Sequence, residues 1–136
     1  IQVLTPNLEA GTLQAALDVL LEQYQTNMEV SVKIDATTEA LDSKVLLGIF
    51  RIVEQSILNA LVHGPAKRVQ ISVSTDSLGV TDIIVSDDGP GALVEQITSG
   101  LGTSIIDSWV GILNGSKEIE TLVGHGYQLH VTFIAR

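Results

Sequence analysis

The sequence predicts an α/β (α+β) two-layer sandwich, a mixed, mostly antiparallel sheet of about five strands covered on one face by three helices. Hydrophobic residues make up 45% of the 136 positions and charged residues 17%, which suits a sizeable core and excludes disorder. Three segments carry apolar residues at helical spacing, and five carry them at alternate positions. The length is that of a single domain, so residues 1–136 are read as one unit.

Residues 1–11 are irregular and broken by Pro6. Leu13, Ala16, Leu17, Leu20, Leu21 and Tyr24 then recur at helical spacing, with Thr12 as the start signal. Val30, Val32 and Ile34 alternate with Ser31 and Lys33 as a short strand. A long helix is expected from about Glu39 to His63, ended by Gly64-Pro65. Val69, Ile71 and Val73 form a strand that turns through Asp76-Ser77-Leu78-Gly79 into a second, about Val80 to Ser86, as an antiparallel hairpin. Asp87-Asp88-Gly89-Pro90-Gly91 follows as a loop. After residues 92–99, Gly100-Leu101-Gly102-Thr103 opens a third helix carrying Ile105, Ile106, Trp109, Val110 and Leu113, with Trp109 expected in the core. Asn114-Gly115 ends it. A last hairpin pairs about Lys117–Leu122 with Tyr127, Leu129, Val131 and Phe133, around Gly124-His125-Gly126.

Lysine plus arginine is 7 and aspartate plus glutamate is 16, a net charge of −9. That balance argues against a nucleic-acid binder held by phosphate contacts and against attachment to anionic lipid. With no cysteine, disulfide scaffolds, thiol nucleophiles and zinc–thiolate sites are excluded. No apolar run approaches the roughly 20 residues of a membrane helix. The opening segment lacks the basic start of a signal peptide. A cytoplasmic domain without membrane contact of its own is expected, compatible with a membrane-anchored parent. The start at Ile1 reads as a processed chain or a piece of a longer one.

Three features carry chemistry. Arg51, Gln55, Asn59 and His63 are spaced by four and form one polar column on an otherwise apolar helix. Such a column either caps neighbouring loops or lines a pocket whose ligand satisfies it. Asp87-Asp88-Gly89-Pro90-Gly91, at a strand end, offers a carboxylate to a ligand amino group and glycines that let backbone approach closely; a plain surface turn is the alternative. Gly100-Leu101-Gly102-Thr103 precedes a helix, where free N–H groups form a phosphate cradle, or simply a helix-entry loop. No Walker lysine follows, and the third glycine of the dinucleotide fingerprint is missing. His130 reads as a strand surface residue, and no nucleophile elbow occurs.

The order of these elements resembles the GHKL ATPase superfamily, which includes histidine kinases, gyrase-type topoisomerases, mismatch-repair ATPases and certain chaperones. Within it the chain looks most like the ATP-binding catalytic domain of a sensor histidine kinase with a short ATP lid. Residues 51–63 resemble the N box, 87–91 the first glycine box and 100–103 the second, and the resemblance runs from about Leu4 to the end. It implies a Bergerat-type ATP-binding fold, with residues 1–11 as the remnant of a linker from a dimerisation domain. It implies ATP and Mg2+, with Asn59 as the Mg2+ ligand. Asp87 would accept from the adenine amino group, and Gly89 and Gly91 would shape the pocket. Gly100, Gly102 and Thr103 would hold phosphates, and His63 would contact phosphate or the carbonyls of its own helix end. The implied reaction is transfer of the γ-phosphoryl to a histidine on the parent's dimerisation domain, with a response regulator downstream.

Three positions depart from the family pattern. Gln55 stands where the family has a catalytic Glu, and a Gln has no proton affinity for a general base. Glu54 lies roughly 140° around the helix from Asn59 and does not substitute. Val62 replaces a basic residue beside the N-box His, and Tyr127 replaces a Thr that helps hold adenine through water. A degenerate ATP-binding or docking module, and a serine kinase of the anti-sigma-factor type, are the alternatives. Residues 92–99 contain no Lys or Arg, so phosphate charge would fall to Mg2+ and to backbone N–H groups.

Overall fold

The structure is a computed structural model that describes residues 6–23, 28–63, 67–89, 101–121 and 126–135. Among them are four helices, α1 (Leu13–Gln23), α2 (Ala36–Glu39), α3 (Ser43–His63) and α4 (Leu101–Ile112). Five strands, β1 (Glu29–Ile34), β2 (Arg68–Thr75), β3 (Val80–Asp87), β4 (Ser116–Thr121) and β5 (Tyr127–Ile134), form one sheet in the order β1-β2-β3-β5-β4. β1 and β2 run parallel, as the helical crossover between them requires, and the other pairs are antiparallel. The expected two-layer sandwich with a mixed, mostly antiparallel sheet is what forms.

The period of two sorts the strands. Val69, Ile71 and Val73, Ile83 and Val85, and Leu129, Val131 and Phe133 are buried on one face, with Leu13, Leu17, Ile49, Ile52, Val53, Ile57, Ile106 and Val110 of the helices. Burying each such side chain contributes about 1.5–3 kcal/mol before the entropy cost of ordering the chain. Trp109 is only partly buried and packs against the edge of this core. Gly48, inside α3, marks a tight helix–helix approach, since a Cβ there would sit 3.2 Å from Leu113 Cδ2.

The long helix expected from Glu39 begins instead at Ser43, behind the single turn of α2. Two aspartates impose the break. Asp35 caps α2 by accepting from Thr38 N–H at 2.9 Å, and Asp42 accepts from Lys44 N–H at 2.8 Å where α3 starts. Glu39 then reaches away from its own helix. Its carboxylate accepts from Leu13 N–H at 2.7 Å and Gln14 N–H at 2.9 Å, which satisfies the free donors at the start of α1. Thr12 completes that cap by accepting from Ala15 N–H at 3.0 Å. At the far end of α4, Asn114 takes φ 55° and Gly115 N–H donates to Val110 O at 2.9 Å, a left-handed stop.

Asp35 also ties α2 to the sheet, because its second oxygen accepts from Thr75 N–H at 3.1 Å. Beside it the buried hydroxyls of Thr38, Thr75 and Thr81 form a chain, 2.9 Å at each hydroxyl link, which ends with Thr81 donating to Gly79 O at 3.3 Å. The Thr38 hydroxyl lowers the Asp35 pKa most; burial opposes it, and the N–H groups of Thr38 and Thr75 add to the lowering. A carboxyl held below its ordinary range contributes stability that is present above the unfolded-state pKa and lost as pH falls through the folded one. Asp35→Ala should therefore lower the unfolding free energy by about 1 kcal/mol at pH 7. In urea titrations the deficit relative to the wild type should shrink on acidification below the aspartate range.

Candidate functional site

Of the polar column on α3, Gln55 and Asn59 are half-buried and bonded to each other, Gln55 Nε2 donating to Asn59 Oδ1 at 3.2 Å. Arg51 pairs with Glu54 at 3.0 Å and lies 5.4 Å from the centre of the Phe50 ring. His63 is the last residue of α3, and its side chain lies outside the described residues. Residues 64–67 alone separate this helix end from β2, whose Val69 pairs with Asp87. The connection thus brings Asn59 and His63 to the Asp87 end of the sheet.

Asp87 is the last residue of β3 rather than part of the loop. It shares the parity of Thr81, Ile83 and Val85 and so faces the helices. One of its oxygens, Oδ1, accepts from Gly89 N–H at 2.9 Å, and Gly89 is buried. Burial raises the Asp87 pKa most; the Gly89 N–H partly opposes this, and the charge of Asp88 adds to it. Asp88 points the other way, its Oδ1 accepting from Lys67 N–H at 2.8 Å and Arg68 N–H at 2.9 Å. The aspartate pair therefore divides its work: Asp88 staples the strand ends, and Asp87 is presented inward.

Across the sheet Asp87 pairs with Tyr127, and Tyr127 with Thr121. Gly126, just before Tyr127, takes φ +84°, and a Cβ there would lie 2.6 Å from Asp87 O. Only glycine lets β5 begin this close to the carboxylate strand. Tyr127 is largely buried, and burial first, then Asp87 and Asp107, push its hydroxyl up to about 12.

α4 is described from Leu101 on, with Gly102 and Thr103 in its first described turn, where the N–H groups of a helix start lack intrahelical partners. The side chains of residues 101–103, together with Gly91, Gly100 and the stretch 92–99, lie outside the described residues. α4 leads within four residues into β4, whose Ser116 pairs with Thr132, itself opposite Asp82. The twelve residues of α4 rise about 18 Å from there, at 1.5 Å each, back towards the Asp87 end. Asn59, Asp87 and the start of α4 come to one end of the molecule. Sequence reasoning missed the strand staple made by Asp88, whose only signal is its parity, and the Gly126 approach. His130, expected as a plain surface residue, bonds Asp82 Oδ1 through Nε2 at 2.8 Å on the face away from the helices.

The blue-light activated histidine kinase of Erythrobacter litoralis superposes with a TM-score of 0.78 at 20% identity, covering 91% of this chain and 42% of that one. The chain has the ATP-binding fold of the histidine kinases. Full-length ShkA in complex with AMPPNP matches this histidine-kinase fold at a TM-score of 0.70 and 17% identity, over 98% of this chain and 33% of its own. No protein-family model matches. Among curated proteins, the Sensor protein NarQ homolog of Haemophilus influenzae is 26% identical over 92% of this chain, and Sensor histidine kinase LiaS of Bacillus subtilis 24% over 91%. The chain spans 23% and 34% of the lengths of these two relatives. No described helix is long and apolar enough to cross a membrane.

The raised Asp87 pKa carries a stability cost. A carboxyl whose folded pKa is raised contributes stability that is present below the unfolded-state pKa and lost as pH rises through the folded one. Asp87→Asn, which keeps an oxygen for Gly89 N–H, should melt at a higher temperature than the wild type at pH 7. The gap should close on acidification through the aspartate range, as read by circular-dichroism melts from pH 3 to 8.

Proposed function

We propose that this chain is the catalytic ATP-binding domain of a two-component sensor histidine kinase. In this reading it presents the γ-phosphoryl of ATP to a histidine on the parent's dimerisation domain, from which a response regulator takes it. The acceptor imidazole forms the N–P bond as the bond to the bridging oxygen breaks and ADP leaves. The imidazole proton goes to a base on the acceptor domain. The observation that carries the reading is Asp87: an inward carboxylate at a strand end with one oxygen held by Gly89 N–H and the other without a protein partner among the described residues. That oxygen suits the amino group of adenine.

Asn59 fits Mg2+ by the chemistry of its donor, a half-buried amide oxygen of the hard kind that Mg2+ takes along with water and phosphate oxygens. Bound there, the ion would neutralise phosphate charge in a reaction that rests mostly on positioning and charge neutralisation. Gly89 and Gly91 shape the base pocket. Gly102 and Thr103, at the start of α4, and Gly100 before them in sequence cradle phosphate with their N–H groups, and His63 contacts it from the end of α3. Gln55 removes no proton in this scheme. It orients Asn59 through their shared hydrogen bond.

That bond also supports a second reading, a degenerate module that binds nucleotide weakly or only docks. Gln55 Nε2 donates into the oxygen that Mg2+ would use, whereas a carboxylate at position 55 would leave it clear. Calorimetry with a non-hydrolysable ATP analogue separates the two readings. The kinase reading expects Mg2+-dependent binding that Asn59→Ala abolishes with the fold intact. No binding at millimolar nucleotide favours the degenerate module, and unchanged affinity in Asn59→Ala refutes the metal assignment. Incubated alone with labelled ATP, the chain should form no phosphohistidine.

A further inference from the structure

The N–H groups of Lys67 and Arg68 both donate to one carboxylate oxygen, Asp88 Oδ1, at 2.8 and 2.9 Å. Asp88 N–H returns a bond to Arg68 O at 3.2 Å. A continued antiparallel ladder would give Arg68 N–H the backbone carbonyl of Asp88. The side chain takes that place, and it takes Lys67 N–H as well. Lys67 is held from its other side too, its carbonyl accepting from Glu29 N–H of β1 at 2.8 Å. The N–H of Arg68 first, then that of Lys67, hold the Asp88 carboxyl below the ordinary aspartate value, so the acceptor is charged at neutral pH. Bonds to a charged acceptor are the stronger kind. One exposed side chain thus fixes the entry into β2.

That entry lies between the two halves of the site. α3 ends at His63, four positions before Lys67, and four steps of chain reach at most about 14 Å. Whatever fixes Lys67 therefore limits where the end of α3 can sit, and Asn59 is one helical turn behind that end. Asp87, by contrast, is held by its pairing with Val69 on one side and Tyr127 on the other. We propose that Asp88 is the positioning residue that sets Asn59 and His63 against Asp87, acting through the Lys67–Arg68 backbone and touching no ligand itself. The assignment rests on the ATP-binding reading. In it the base contact survives loss of the staple, because the ladders hold Asp87. The metal and phosphate contacts do not, because a displaced donor no longer meets an ion and a phosphate whose places the base has fixed.

The test is calorimetry on the whole chain with ADP, with and without Mg2+, and its readout is the factor by which Mg2+ tightens binding. Asp88→Ala should cut that factor about 10-fold, the scale of bonds lost to a charged acceptor, and leave metal-free ADP as in the wild type. Asp88→Asn keeps an oxygen for both N–H groups and should retain the factor to within about 3-fold. A general loss of stability would lower the melting temperature of Asp88→Ala without moving this ratio. Coupling is reciprocal, so in the wild type Mg2+ with ADP should slow hydrogen exchange of the Lys67 and Arg68 amides about 10-fold, and ADP alone should not. That measurement needs no variant to fold. An unchanged Mg2+ factor in Asp88→Ala, an equal loss in Asp88→Asn, or amides indifferent to Mg2+ with ADP overturns the positioning role while nucleotide binding stands. A wild type that binds no ADP, or binds it equally with and without Mg2+, overturns the underlying reading as well.

Discussion

The alternation of β3 is the constraint on which the rest depends. This strand lies at the middle of the sheet, paired on both sides, so its register cannot slip without turning Thr81, Ile83 and Val85 out of the core. The same period that buries those residues delivers Asp87 to the helix side and Asp88 to the opposite side. Hydrophobic burial, a non-specific force, thus aims a specific carboxylate. The site inherits its precision from the core and adds little of its own.

Elements set by local chemistry were legible in the sequence. The Thr12 start, the turn at Gly79, the Asn114-Gly115 stop and the strand alternations each rest on residues within a few positions of one another. What escaped was long-range. The caps at Asp35 and Asp42 that break α2 from α3 are local, but what anchors α2 there is not: Asp35 reaches Thr75, forty positions away, and Glu39 reaches Leu13. Trp109 sits in an apolar helical stretch, but α4 lies at the margin of the core and leaves the ring half-covered. The polar column marked a candidate functional face on α3, but not that Gln55 and Asn59 would bond each other within it. The roles of the site residues came from the order of the motifs rather than from any one of them.

The acidic composition takes a definite spatial form. Arg68 lies against Glu29, Lys117 against Asp107 and Arg51 against Glu54. Two of these pairs are partly buried and one is exposed, so they differ in worth, the exposed one contributing little. All three engage cations with carboxylates of the chain itself.

Glu39 has a mechanical meaning as well. Its two short hydrogen bonds clamp the first turn of α1 to α2, and Asp35 carries α2 onto β2. Tension or torque entering through the segment ahead of α1 therefore has a load path into the sheet that bypasses the covalent run through β1. Pulled from that side, the domain answers as a lever rather than as a string.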